Sequence, residues 1–145
     1  MSEDERKVKG WRQEYTEVNS YYRHYSALRF VMFSVYFAVT AGIASVAFGV
    51  VEIKSFGASL IIGMIKVSGL LITVAFLMYE LRLEQVIDHY RIWAKKLEEE
   101  LGYAQMTERP LSRLTFGTTK ALYYLMIAFW SLAFILFLIS VIWKA

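Results

Sequence analysis

The chain has no cysteine, one proline and two histidines in 145 residues, and each scarcity removes a class of chemistry. Without cysteine there are no disulfides, thiolate metal sites or cysteine nucleophiles. With His24 and His89 as the sole imidazoles, a zinc site is short of ligands, and the Glu-x-x-His pairing of helical-bundle metal sites is missing. No glycine-rich phosphate loop occurs. Serine, histidine and carboxylate do not converge as nucleophile, base and orienting group would. No enzyme, metal or cofactor is therefore expected. A nucleic-acid surface is not expected either, because the net charge is only +3 and no basic, aromatic-interleaved face stands out. Pro110 is the one proline, so the sequence before it lacks the strongest helix breaker.

What the chain has in abundance is apolar surface. Hydrophobic residues make up 57% and aromatics 17%, and the mean hydropathy is +0.41, too apolar for an ordinary soluble domain of this length. The excess is concentrated in three runs. Residues 28–51 carry only Arg29, at their edge, 58–79 only Lys66, and 121–143 no charge at all. Each is long enough for the roughly 20 residues that a hydrocarbon core requires. The predicted fold is an all-α integral membrane protein with three transmembrane helices, the first two prolonged into the cytoplasm as amphipathic rods. Met1 to Lys9 mixes both charge signs and has no apolar stretch ending in a cleavage site, so no signal peptide is expected.

Lysine and arginine are distributed unevenly. Arg6, Lys7, Lys9, Arg12, Arg23 and Arg29 precede or begin the first run. Arg82, Arg91, Lys95, Lys96, Arg109, Arg113 and Lys120 lie between the second and third. Only Lys54 and Lys144 fall on the other side. A bias of thirteen to two places the N-terminus in the cytoplasm and the C-terminus outside. The chain then divides into a cytoplasmic amphipathic helix (1–27), span one (28–51), an external turn (52–57), span two (58–79), a coiled-coil-like cytoplasmic helix (80–102), a cytoplasmic loop (103–120) and span three (121–143).

Trp11, Tyr15, Val18, Tyr22 and Tyr25 recur at alternating spacings of four and three, which lines one helical face. After span two, Leu83, Val86, Ile87, Tyr90, Trp93, Ala94, Leu97 and Leu101 form a second seam near a heptad, and Gly102 supplies a stop. The two seams are expected to pack on each other or on those of neighbouring copies. Trp11, Tyr15, Tyr90, Trp93 and Leu97 are the candidate face for an oligomer or a cytoplasmic protein partner.

Lys66 is the residue most in need of a reason, because a cation inside an apolar span is costly if it faces lipid. On a helical wheel it joins Ser59, Gly63, Gly69 and Thr73 in a small, polar stripe. Such a stripe could line a pore or cavity. The simpler reading is snorkelling of Lys66 toward the outer interface and Glu52. Ala38, Gly42, Ser45 and Gly49 give span one a small-residue face for close helix packing. Glu80, Glu84 and Asp88 stand at i, i+4 and i+8, where they could form an acidic ladder at the cytoplasmic mouth or simply a solvated face. Three thin helices bury little alone, so a homo-oligomer in the bilayer is expected.

Tyr79 to Gly102 reads YELRLEQVIDHYRIWAKKLEEELG, an apolar span followed by Glu-x-Arg and ending in Leu-Glu-x-x-Leu-Gly. This order resembles the post-membrane helix of small multi-pass bacterial membrane proteins, the SLATT-type effectors of antiphage systems and the RipA-like octameric membrane proteins. The likeness covers about one sixth of the chain, and the third span departs from the two-span effectors. It implies assembly into a ring that permeabilises or signals at the bacterial inner membrane, the location the resemblance leads one to expect, with Glu80, Arg82, Leu97, Glu98, Leu101 and Gly102 in structural roles. Arg82 and His89 are also spaced as Arg-x6-His, similar to the loose signature of HEPN ribonucleases, but no catalytic constellation accompanies them. The functional expectation is a homo-oligomeric pore, channel or permeabilising assembly. The rival is a non-conducting membrane scaffold that recruits a soluble partner.

Overall fold

A computed structural model describes residues 2–49, 56–107 and 113–143, and the side chains of 56–59 and 113–118 are outside that description. Lys54, Glu52, Pro110, Leu111, most of the expected external turn and the side chains of Ser59, Leu114 and Phe116 therefore lie outside the described residues. The described residues contain three helices: α1 (Glu3–Gly49), α2 (Phe56–Leu101) and α3 (Arg113–Ile142). All three are long and apolar enough to cross a membrane.

The helix ends follow local chemistry. The Ser2 hydroxyl accepts the Glu5 amide at 3.2 Å while Glu5 Oε2 accepts the Ser2 amide at 2.7 Å. This reciprocal capping box, with Glu3, Asp4 and Glu5 complementing the helix dipole, starts α1 well before Trp11. At the other end of α2, Gly102 adopts a φ of 67° and the Tyr103 amide donates to the Glu98 carbonyl at 3.0 Å. That six-to-one bond is a Schellman stop, which only glycine enters without strain. α3 begins at Arg113, inside the stretch expected to be loop through 120. Beyond Pro110 no proline interrupts it, and each residue added to an existing helix gains a backbone hydrogen bond.

The chain clusters into two compact units, residues 1–31 with 80–112 and residues 32–79 with 113–145. In the first unit, α1 and α2 run antiparallel. Residue 15 meets 98, residue 21 meets 90 and residue 29 meets 80. Its core is Tyr15, Val18, Ala94, Leu97 and Met106, flanked by Trp11, Tyr22, Tyr90 and Leu101. The two seams of the sequence thus pack on each other within one chain. In the second unit α3 runs antiparallel to α2 and parallel to α1, and Trp130, Tyr36 and Tyr123 are its largest fully buried side chains.

Candidate functional site

In the first unit the sequence places three glutamates in a row at the end of α2, and the structure buries one of them. Glu98 is wholly inaccessible. Its Oε1 accepts the Tyr15 hydroxyl at 2.8 Å and the Met106 amide at 2.6 Å. Its Oε2 accepts the Thr107 amide at 3.0 Å and the Thr107 hydroxyl at 2.9 Å. Four donors make a buried carboxylate tolerable. Burial pushes the Glu98 carboxyl up, but the bonds from Met106, Tyr15 and Thr107 outweigh it and hold it below the usual carboxylate range. Tyr15 responds in the opposite sense: burial, the bond to Glu98 and its charge push the phenol up to about 12. Glu98 therefore ties the segment after Gly102 back to α1, using a residue type that the sequence analysis had left to a resemblance.

Beside this tie lies an open groove of about 450 Å³, with Glu14, Glu17 and Tyr21 on α1 facing His89, Tyr90 and Trp93 on α2. Spacings of three and four put the α1 residues on one face. Trp93 Nε1 donates to Glu14 Oε1 at 2.9 Å, fixing the indole. Tyr90 stacks on both Tyr21 and Tyr25, with centroids 5.4 and 5.6 Å away. Tyr21 and Trp93 stay 51% and 39% exposed, a large aromatic area left open to solvent in this unit. Of the candidate face, Tyr15 and Leu97 are buried in the core and Trp11 and Tyr90 pack against it. Trp93 is the member that remains presented.

The acidic ladder is not one solvated face. Glu80 is 3% exposed and pairs with Arg29 through both Nε and Nη2. Asp88 pairs with Arg91 at 3.4 Å, and Glu84 is half-buried with interactions of its own. The described residues bring no cluster of metal-ligating side chains together.

In the second unit the polar stripe of α2 meets α3. A Cβ at Gly69 would stand 2.6 Å from the Trp130 ring, and one at Gly63 would stand 2.8 Å from Phe137. These glycines let the two helices close. Thr73 is fully buried. Its hydroxyl donates to the Gly69 carbonyl at 2.8 Å, so the Tyr36 hydroxyl, 3.3 Å away, is the donor in their contact. Lys66 Nζ lies 3.5 Å from the Ala133 carbonyl and 5.4 and 5.1 Å from the centres of the Phe48 and Phe137 rings. The ammonium is thus met by a carbonyl and two π faces of its own chain. The small residues of α1 behave differently. Ala38, Gly42, Ser45 and Gly49 are exposed, with open space over Gly42 and Gly49, while Tyr36, Thr40 and Ala47 form the buried side of that helix.

No family model matches this chain, and no characterised protein or solved structure is significantly similar to it. Among the described residues the protein is all-helical, with three helices long and apolar enough to span a membrane. The N-terminal part of α1 and the C-terminal part of α2 form a two-helix unit closed by a buried carboxylate.

Proposed function

We propose that the chain is a membrane-anchored scaffold, with three spans that hold a helical hairpin at the cytoplasmic surface, where it recruits a soluble protein. The observation that carries this reading is the exposed aromatic groove of the first unit, built on a hairpin whose α1 is tied by Glu98 to the segment after α2. A preorganised aromatic surface is the kind of place where binding energy concentrates. The lysine and arginine bias supports a cytoplasmic position for this hairpin. The stripe of Gly63, Lys66 and Gly69 is occupied by Trp130, Ala133 and Phe137 of the same chain, which weighs against a conduit along it.

A second reading, a homo-oligomer that forms a pore, draws its support from the open stripe of Ala38, Gly42, Ser45 and Gly49, spaced four, three and four apart. Affinity purification of the full chain from solubilised membranes separates the two. The scaffold predicts a stoichiometric soluble partner that is lost with Trp93→Ala, and no ion flux in reconstituted vesicles. Flux abolished or altered by Lys66→Ala, with no partner captured, would reverse the order.

A further inference from the structure

The groove has a chemistry more specific than an aromatic patch. Its lining holds two carboxylates, Glu14 and Glu17, and no lysine or arginine, in a chain whose net charge is +3. The carboxylates stand on the same helix face as the exposed Tyr21, opposite Trp93 and Tyr90. Carboxylates beside aromatic faces are the two groups that hold a cation together: one by charge, the other by the negative face of the ring. The Trp93 indole already accepts a cation in this fold, with Lys96 Nζ 5.8 Å from its centre. Glu14 Oε1 takes the Trp93 N–H, which leaves Oε2 for a guest and orients the ring.

We propose that this groove receives an arginine side chain from a soluble partner polypeptide. The guanidinium would stack on the exposed Tyr21 and Trp93 and donate to Glu14 and Glu17. Arginine is favoured over lysine because its planar fork can stack and donate to carboxylates at once, whereas an ammonium is a strongly hydrated point charge. An acidic or wholly apolar segment would leave the two carboxylates opposed or desolvated. The inference rests on the scaffold reading and names the partner chemistry of that same site.

The test uses the full chain in nanodiscs at pH 7.5 and a fluorescent acetylated peptide of four arginines spaced by alanine, with four-lysine and four-glutamate peptides as comparisons. Saturable binding is expected for the arginine peptide, weaker for lysine and absent for glutamate. Glu14→Gln with Glu17→Gln should weaken the arginine peptide about tenfold, since each exposed pair contributes modestly. The side-chain amide oxygen introduced at position 14 still accepts the Trp93 N–H, so the fold is kept. Tyr21→Leu, at an exposed position, should weaken binding independently. No saturable binding, equal binding of arginine and lysine peptides, or full affinity in the double variant would each overturn the proposal. A fall in particle mass in the double variant would also overturn it, because the occupant would then be a second copy with its Arg6 to Arg12 segment. Failure of the scaffold reading looks different: wild-type captures no partner at all. If the inference alone is wrong, wild-type and the double variant capture the same partner equally.

Discussion

Replacing Glu98 by glutamine tests whether one buried carboxylate closes the two-helix unit. Four donors converge on its two oxygens, two on each. Glutamine keeps one oxygen and presents an NH2 group to the other pair of donors, so two bonds are lost and donors are left facing a donor. Hydrogen bonds to a charged group contribute about 1.5–3 kcal/mol each, and a buried group left unpaired adds its desolvation cost. Some relaxation offsets this, so we expect the unit to lose about 3–4 kcal/mol against opening. That corresponds to a several-hundredfold faster exchange of the protected amides, at about tenfold for each 1.4 kcal/mol. Hydrogen exchange followed by mass spectrometry on the full chain in nanodiscs reads it directly. The amides to follow are Tyr103, Met106 and Thr107, which donate to Glu98, together with peptides around Tyr15. Glu99→Gln is the control, because Glu99 is exposed and surface changes of this kind stay within about 0.5 kcal/mol. If Glu98→Gln exchanged less than tenfold faster, or no faster than Glu99→Gln, the carboxylate would not be the tie described above.

The same pair makes the stability of this unit depend on pH at both extremes. Glu98 is held below the ordinary range, so its contribution is present above about pH 4.5 and disappears as the pH falls through its depressed folded value. Tyr15 is raised to about 12, so its contribution is intact below about pH 10 and is lost between about 10 and 12, a change of about 2–3 kcal/mol. Circular dichroism melts across this range should show a plateau between those limits, and Tyr15→Phe should remove the alkaline limb. In the second unit, Gly69→Ala would drive a methyl into the Trp130 ring, which is fully buried and has nowhere to move. Overpacking of this kind costs about 1–3 kcal/mol, and a lower melting temperature of the purified protein should report it. Gly42→Ala, with open space around it, should leave the melting temperature unchanged.

Much of this architecture is legible in the sequence because its signals are local. Three apolar runs of sufficient length, two faces of aromatic and aliphatic residues at spacings of four and three, and a glycine at the end of the second face follow from composition and helical period alone. The structure forms helices over those runs, packs those faces together and stops α2 at Gly102. The start of α1 is also written locally, in the capping box of Ser2 and Glu5. The stretch expected to be loop up to 120 is helical from Arg113 onward, because no proline after Pro110 stops the helix that leads into the third apolar run.

The candidate site was less legible, because burial belongs to pairs of faces and not to single helices. Glu98, Glu99 and Glu100 are chemically identical, and nothing within α2 says which of them meets Tyr15, 83 positions away. Glu80 could be the first rung of a ladder at a cytoplasmic mouth or of a solvated face, and nothing near it in sequence announces its partner Arg29, 51 positions earlier. Lys66 with its glycines left two readings open, the wall of a pathway or a snorkelling lysine, since a small polar stripe has the same pattern whether it faces water or an aromatic ridge. By itself the sequence determined the helices, their apolar lengths and the faces available for packing, all fixed by the 3.6-residue period and side-chain polarity. Only the tertiary structure decided which face each one meets, because that depends on α3 presenting Trp130 and Phe137 to Gly69 and Gly63, a match of shape between distant segments.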